Sequence, residues 1–168
     1  MRIAMIKGLH HNAYRCRDSE ETRRFYEEFL GLPLAGTLWI KETKTGRPID
    51  ALHTFYEMDN GSYLAFFEAP DRPFTFKDQH DYDLHIALEV EHDALLEMMA
   101  KGEAESREVR GISDHGFIDS IHFRDPNGYV IELTAKRPDH DSHMDPKINK
   151  ARELLDRWQK DKEREPRC

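Results

Sequence analysis

The chain has 168 residues, of which 35% are charged and 38% hydrophobic, and it carries a formal charge of −8. A domain of that length buries a sizeable core without disulfide or metal staples, so one globular body is expected rather than a disordered chain. The acidic balance, with no cluster of Lys and Arg interleaved with aromatics, excludes nucleic acid and anionic membrane surfaces as natural partners. No segment approaches the roughly eighteen consecutive apolar residues of a membrane span. Met1 to Leu9 has two early cations but neither an apolar run nor a small-residue cleavage site, so it does not read as a secretory signal. Two cysteines, Cys16 and Cys168, make no disulfide framework. They fit a reducing compartment, and cytoplasm is the expected location.

The elements come in two similar sets. His11-Asn12-Ala13-Tyr14-Arg15-Cys16 opens the first as a short strand. Ser19 to Leu30 follows as a helix, with Ser19 and Thr22 at its start, an apolar face of Phe25, Phe29 and Leu30, and Gly31 as its stop. Three strands are expected at Leu38 to Glu42, Ala51 to Met58 and Ser62 to Glu68, parted by Thr45-Gly46 and Asp59-Asn60-Gly61 turns. Ala69 to Asp83, rich in Pro, Asp and aromatics, suits a surface connection.

The second set repeats the order. His85-Ile86-Ala87-Leu88-Glu89-Val90 shares the opening His-x-Ala, and its apolar Ile86, Leu88 and Val90 alternate with His85, which therefore faces away from the packed side. A helix over His92 to Lys101 carries Leu95, Leu96, Met98 and Met99 on its buried side, with Gly102 after it. Strands are expected at Ser106 to Val109, Ile118 to Arg124 and Tyr129 to Ala135, the last two joined by Asp125-Pro126-Asn127-Gly128. The sum is an α+β domain over residues 1–136, built from two βαβββ units at about 5–68 and 83–135. Residues 137–168 then form a polar loop and a helix opened by Pro146, whose Ile148, Ala151, Leu154, Leu155 and Trp158 share a stripe. That stripe needs a partner, either the domain or a second copy, and a homodimer is expected. The tail from Lys160 to Cys168 is expected to fray.

Matched positions in a duplicated strand make His11 and His85 a ready pair of imidazole ligands. Glu132, flanked by Val130, Ile131 and Leu133, is costly to bury unless paired or bound to a cation. Two imidazoles and one carboxylate leave open coordination positions, the facial arrangement of non-heme Fe(II). His10 points to the opposite face from His11 and is assigned a structural role. His80, His140 and His143 lie in polar connections, where solvation is the simplest account. Arg15 and Glu89, four residues beyond the two histidines, either pair at the site mouth or face water.

The paired His-x-Ala strands and the closing Asp-Pro-Asn-Gly-Tyr-x-Ile-Glu run resemble the vicinal oxygen chelate superfamily. Its members include glyoxalase I, fosfomycin and bleomycin resistance proteins and type I extradiol dioxygenases. The resemblance implies two βαβββ units forming a half-open barrel around a metal cleft, with His11, His85 and Glu132 as ligands. Laying Tyr63-Leu64-Ala65-Phe66 over Tyr129-Val130-Ile131-Glu132 sets Phe66 opposite Glu132. The first copy then lacks the fourth ligand of the family's lyases and isomerases, with Glu68 as the substitute two residues on.

Three ligands imply an Fe(II) extradiol-type dioxygenase acting on a catechol-like vicinal diol. The extradiol signature is followed by His115, Ile121, Asp125, Pro126, Gly128 and Glu132, while His122 stands where the family has Tyr. On this reading His115 contacts substrate or oxygen, His122 hydrogen-bonds near the metal and moves a proton, and Phe55, Tyr56, Phe66 and Phe76 line a pocket for a flat ring. A glyoxalase-like lyase or isomerase using Mn, Zn, Ni or Co is the alternative, and a metal-free, ligand-sequestering binder is the second.

Overall fold

The structure, a computed structural model, describes residues 5–162. Of the tail expected to fray, Lys160 to Lys162 are helical, while the remainder with Cys168, like the first residues of the Met1 to Leu9 segment, lies outside that range. In chain order the elements are β1 (Tyr14–Arg15), α1 (Ser19–Arg23) continuing into a π-helical turn (Arg24–Phe29), β2 (Leu34–Glu42), β3 (Pro48–Glu57) and β4 (Tyr63–Glu68). Then come β5 (His85–Glu89), α2 (His92–Ala104), β6 (Val109–Asp114), β7 (Ile118–Arg124), β8 (Val130–Lys136), α3 (His140–Met144) and α4 (Ala151–Lys162). The strands form two open four-stranded sheets, ordered β1-β4-β3-β2 and β5-β8-β7-β6, so the βαβββ order occurs twice and neither sheet closes on itself.

Two compact units divide the chain. One gathers the residues up to Ile86 together with Ser106–Glu108 and Phe123–Ile131; the other gathers Ala87–Glu105, Val109–His122 and the remainder from Glu132. In the first, α1 begins on Asp18 rather than Ser19, because the Asp18 carboxylate accepts from the backbone N–H of Glu20 and Glu21 at 2.8 Å. Ser19 instead donates its own N–H to Glu68 at 2.8 Å. Gly31, at φ +82°, ends the helical run in the left-handed region that glycine enters without strain.

Between these ends Phe25, Tyr26 and Phe29 are buried. The Tyr26 ring lies 4.6 Å from that of Phe66 and 5.5 Å from that of Tyr56. Those contacts identify the helix-covered face of the first sheet. β3 and β4 pair antiparallel, with Phe55 opposite Ala65 and Tyr56 opposite Leu64. Alternation therefore puts Tyr56, Leu64, Phe66 and Glu68 on the helix side and His53, Phe55, Ala65 and Phe67 on the other.

The turn between β7 and β8 belongs to the same unit. Buried Asp125 accepts from Tyr26 Oη at 2.9 Å, from Asn127 N at 2.9 Å and Nδ2 at 3.0 Å, and from Tyr129 N at 2.8 Å. Asn127 in turn accepts the Arg17 N–H at 2.8 Å, and Tyr129 Oη donates to the Arg15 carbonyl at 2.9 Å. Gly128 sits at φ +95°, and a Cβ there would collide with the Lys77 carbonyl oxygen.

Both copies repeat the same hydrogen bonds. Cys16 N–H donates to Phe67 O and Val90 N–H to Thr134 O, each at 2.9 Å. Met58 N–H donates to Ser62 O and Asp125 N–H to Tyr129 O, each at 2.9 Å, while the N–H groups of Gly61 and Gly128 return to Met58 O and Asp125 O. Phe67 thus corresponds to Thr134 and, two residues back on each strand, Ala65 corresponds to Glu132.

In the second unit several elements differ from the sequence reading. The strand expected at Ser106 to Val109 is displaced: Arg107 instead belongs to the first unit, its guanidinium 4.1 Å from the Phe29 ring centroid, and β6 runs on through Gly111. Glycine is required there because a Cβ would lie 2.7 Å from Ser120 O on β7. α2 continues through Gly102, which is buried, and Leu96 is exposed while Leu95 is buried. The polar loop contains α3, whose His143 ring stacks 5.7 Å from Phe117, so His143 is not merely solvated. α4 starts at Ala151, capped by the Asn149 side chain at 2.9 Å. None of its residues is buried, and Leu154, Leu155 and Trp158 are exposed.

Replacing Asp125 by Ala strands the buried Tyr26 hydroxyl and three N–H donors, so urea denaturation of Asp125→Ala is expected to show a loss of about 2–4 kcal/mol. Gly128→Ala is expected to be at least as damaging, since the Lys77 backbone must move.

Candidate functional site

His11 lies just ahead of β1 and forms a parallel bridge with Tyr63. It is exposed, on the side of the first sheet away from the helix, where its ring centroid lies 5.5 Å from Phe55 and 5.9 Å from His53. The Nδ1 atoms of His10 and His11 share a hydrogen bond at 2.8 Å. His10 thus orients the adjacent imidazole rather than acting only as a structural residue on the far face.

His85 opens β5 and is also exposed. Its Nδ1 lies 2.7 Å from the Asp81 carbonyl oxygen, which only accepts, so the ring N–H is on Nδ1 and the neutral ring carries its lone pair on Nε2. A histidine whose second nitrogen is fixed by a backbone carbonyl is the usual form of a metal-ligating imidazole.

Glu132 is 6% exposed in the middle of β8, between Ile131 and Leu133. His122, on β7 and 9% exposed, places Nε2 3.7 Å from Glu132 Oε1. The structure therefore brings together two residues that the sequence selected for different reasons. His115, exposed beyond β6, shares a 3.1 Å hydrogen bond between its Nε2 and buried Ser120 Oγ. Taken singly, the donor atoms of His11, His85 and Glu132 suit a divalent cation. Among the described residues, no three His, Cys, Asp or Glu side chains are gathered as a ligand group.

The aromatic expectations divide by face. Phe55 is half-buried and lies beside His11. Tyr56 and Phe66 are 0% exposed under α1 and belong to the core. Burial pushes the Tyr56 phenol up to about 12, so it stays protonated. Cys16 is buried too, and the same cause raises its thiol to about 11, which makes it inert as a nucleophile at neutral pH. Glu68 shares the helix-covered face with Phe66, where Ser19 N–H engages it, and the β4 position equivalent to Glu132 is Ala65 rather than Phe66. The first copy thus presents no carboxylate at that register. Arg15 is held by the Ala69 and Arg72 carbonyls and Glu89 by Lys136 at 2.8 Å, so each has a local partner.

His53 escaped the sequence reading because it belongs to no motif. It is 6% exposed, stacks 3.6 Å from the Phe67 ring and has a buried Nε2 with no hydrogen-bond partner. The signal for it was register: the β3–β4 turn puts it on the face of Phe55 and Ala65. Burial, and then the charge of His11, hold its pKa below the usual 6.5. The folded chain thus resists a proton that the unfolded chain accepts, and stability present above about pH 6.5 is lost as the pH falls below it. An NMR titration is expected to place the His53 midpoint below that of an unfolded-chain histidine, and His53→Phe is expected to reduce the loss of stability between pH 6.5 and the folded midpoint.

A family model described as the Glyoxalase/Bleomycin resistance protein/Dioxygenase superfamily matches residues 8–133. Functionally curated proteins give no match. Among solved structures, the fosfomycin resistance protein FosX from Listeria monocytogenes is similar with a TM-score of 0.62 and 20% identity, covering 81% of this chain and 98% of that one. A glyoxylase/bleomycin resistance protein/dioxygenase domain from Frankia sp. gives 0.63 and 17%, with 79% and 100% coverage. TnmS3, an antibiotic binding protein from Streptomyces sp., gives 0.58 and 18%, with 80% and 99% coverage. At these identities the likeness is one of fold.

Proposed function

The chain belongs to the Glyoxalase/Bleomycin resistance protein/Dioxygenase superfamily, and from that premise we propose that it is a metal-dependent enzyme whose divalent ion is held by His11, His85 and Glu132. The observation that carries this reading is the buried Glu132 carboxylate at a register whose counterpart, Ala65, shares a sheet face with the residues around His11. The fixed Nδ1 hydrogen bonds of His11 and His85 support it. FosX has been crystallised with Mn(II) and a dihydroxypropylphosphonic acid, which favours a divalent ion and a small vicinally oxygenated ligand here as well.

With Ala65 at the corresponding position and Glu68 turned to the helix side, the protein supplies three ligands rather than four. That favours Fe(II) extradiol-type dioxygenase chemistry on a catechol-like diol over a four-ligand lyase or isomerase. An ion held by these residues would supply Lewis acidity toward a substrate with two neighbouring oxygens. On the same reading His122, its Nε2 3.7 Å from Glu132 Oε1, accepts or returns a substrate proton, His115 is a donor held by Ser120, and Phe55 offers an aromatic wall. In this reading the exposed stripe of Leu154, Leu155 and Trp158 on α4 is the contact of a homodimer in the cytoplasm.

A second reading is a non-catalytic binder of the kind TnmS3 represents, favoured by the lack of a gathered ligand group among the described residues. Calorimetry separates the two. Fe(II) or Mn(II) at a hundredfold excess over Kd is expected to raise stability by about 2.7 kcal/mol, and His85→Ala to abolish the effect. The Fe(II) form is expected to consume oxygen with catechols, and His122→Phe to slow turnover by about a hundredfold or more at unchanged metal content. Metal binding without oxygen uptake favours the lyase, and no metal binding favours the sequestering protein.

A further inference from the structure

The first unit contains a cavity of about 310 Å³ whose lining includes Arg15, Arg17, Arg72, Glu68, Phe74 and Phe76. Three arginines lining one cavity stand out in a chain of net charge −8. The wall also carries one carboxylate, Glu68, whose Oε2 accepts the Ser19 N–H at 2.8 Å, against three arginines. Among the described residues Arg72 has a loose ion-pair neighbour, Asp71 at 3.9 Å, with both side chains about half exposed.

Arg15 is the fixed element. Its Nη2 donates to the Ala69 carbonyl at 2.8 Å and the Arg72 carbonyl at 2.9 Å, which ties β1 to the segment following β4. Its Nε is buried and has no hydrogen-bond partner. That atom has no accessible surface, so Arg15 serves the cavity as a fixed positive charge, which favours an anionic group. The remaining walls are apolar. Phe74 and Phe76 meet edge to face at 4.8 Å, with Arg15 5.2 Å from the Phe74 centroid and Arg17 5.0 Å from that of Phe76. These contacts hold both guanidinium groups against aromatic rings, with Arg15 Nη2 already committed to its two carbonyls.

We propose that this cavity is a binding site for a small organic oxyanion, a carboxylate or phosphonate carried on an aromatic body, with Arg15, Arg17 and Arg72 holding the anionic head and Phe74 and Phe76 the ring. The volume suits a ligand of one ring and one head group. The site does not rest on the metal reading, because Arg15, Arg17 and Arg72 are not among the proposed metal ligands.

The test uses the full chain, stripped of metal and dialysed, in titration calorimetry with phenylphosphonate, benzoate, inorganic phosphate and uncharged benzamide. Phenylphosphonate and benzoate are expected to bind, benzamide not at all, and inorganic phosphate at least tenfold more weakly than phenylphosphonate. Arg72→Gln and Arg17→Gln change side chains outside the Arg15 carbonyl clamp, so circular dichroism is expected to be unchanged while each weakens binding about tenfold. Relative binding of phenylphosphonate and benzoate identifies the preferred head group. Binding of benzamide as tightly as benzoate, phosphate as tight as phenylphosphonate, or affinity unmoved in both variants overturns the proposal, as does the absence of binding by either aromatic anion.

Discussion

The hydrogen bond from Cys16 N–H to Phe67 O sets which residues of β4 look away from the helix, and Val90 N–H to Thr134 O does the same for β8. Strand side chains alternate, so a slip of one residue would send Glu132 to the opposite face and bring Leu133 in its place. The tight turns before β4 and β8 keep the register: Gly61 and Gly128 adopt φ of +76° and +95° and close the same backbone bond in both copies. Ala65 and Glu132 are therefore equivalent in backbone and opposite in chemistry. One copy buries a methyl group where the other buries a carboxylate.

Asp125 shows how the duplicated turn acquired a second duty. Burial raises its pKa above the ordinary carboxylate value, while hydrogen bonds from Asn127, Tyr129 and Tyr26 oppose that shift. Its counterpart Met58 has no side-chain oxygen to accept such bonds. The Asp-Pro-Asn-Gly run thus joins α1, β1 and the turn into one buried polar network, and Asn127 and Tyr129 extend it to the backbones of Arg17 and Arg15. Such a network stabilises only while every donor is satisfied.

Much of the fold was legible because alternation and turn glycines are local signals. β3, β4, β5, β7 and β8 follow from them, as does the order βαβββ twice. What failed depended on distant atoms. The strand expected to end at Val109 runs on through Gly111, where the nearby Ser120 carbonyl leaves no room for a Cβ, and Gly102 looked like a helix stop but is buried inside α2. Phe66 was set opposite Glu132 by matching the aromatic residues Tyr63 and Tyr129, whereas the turn glycines give Ala65. Tyr56 and Phe66 looked like pocket aromatics, yet they lie beneath α1. His53 had no motif to announce it and becomes visible only when β3 is paired with β4.

Metal stoichiometry of Glu132→Ala and Glu68→Ala, each purified without chelator and read by atomic emission, tests the register most directly. The account predicts that Glu132→Ala loses the ion and Glu68→Ala keeps it. Retention by the first with loss from the second would contradict it, and so would an equal content in both.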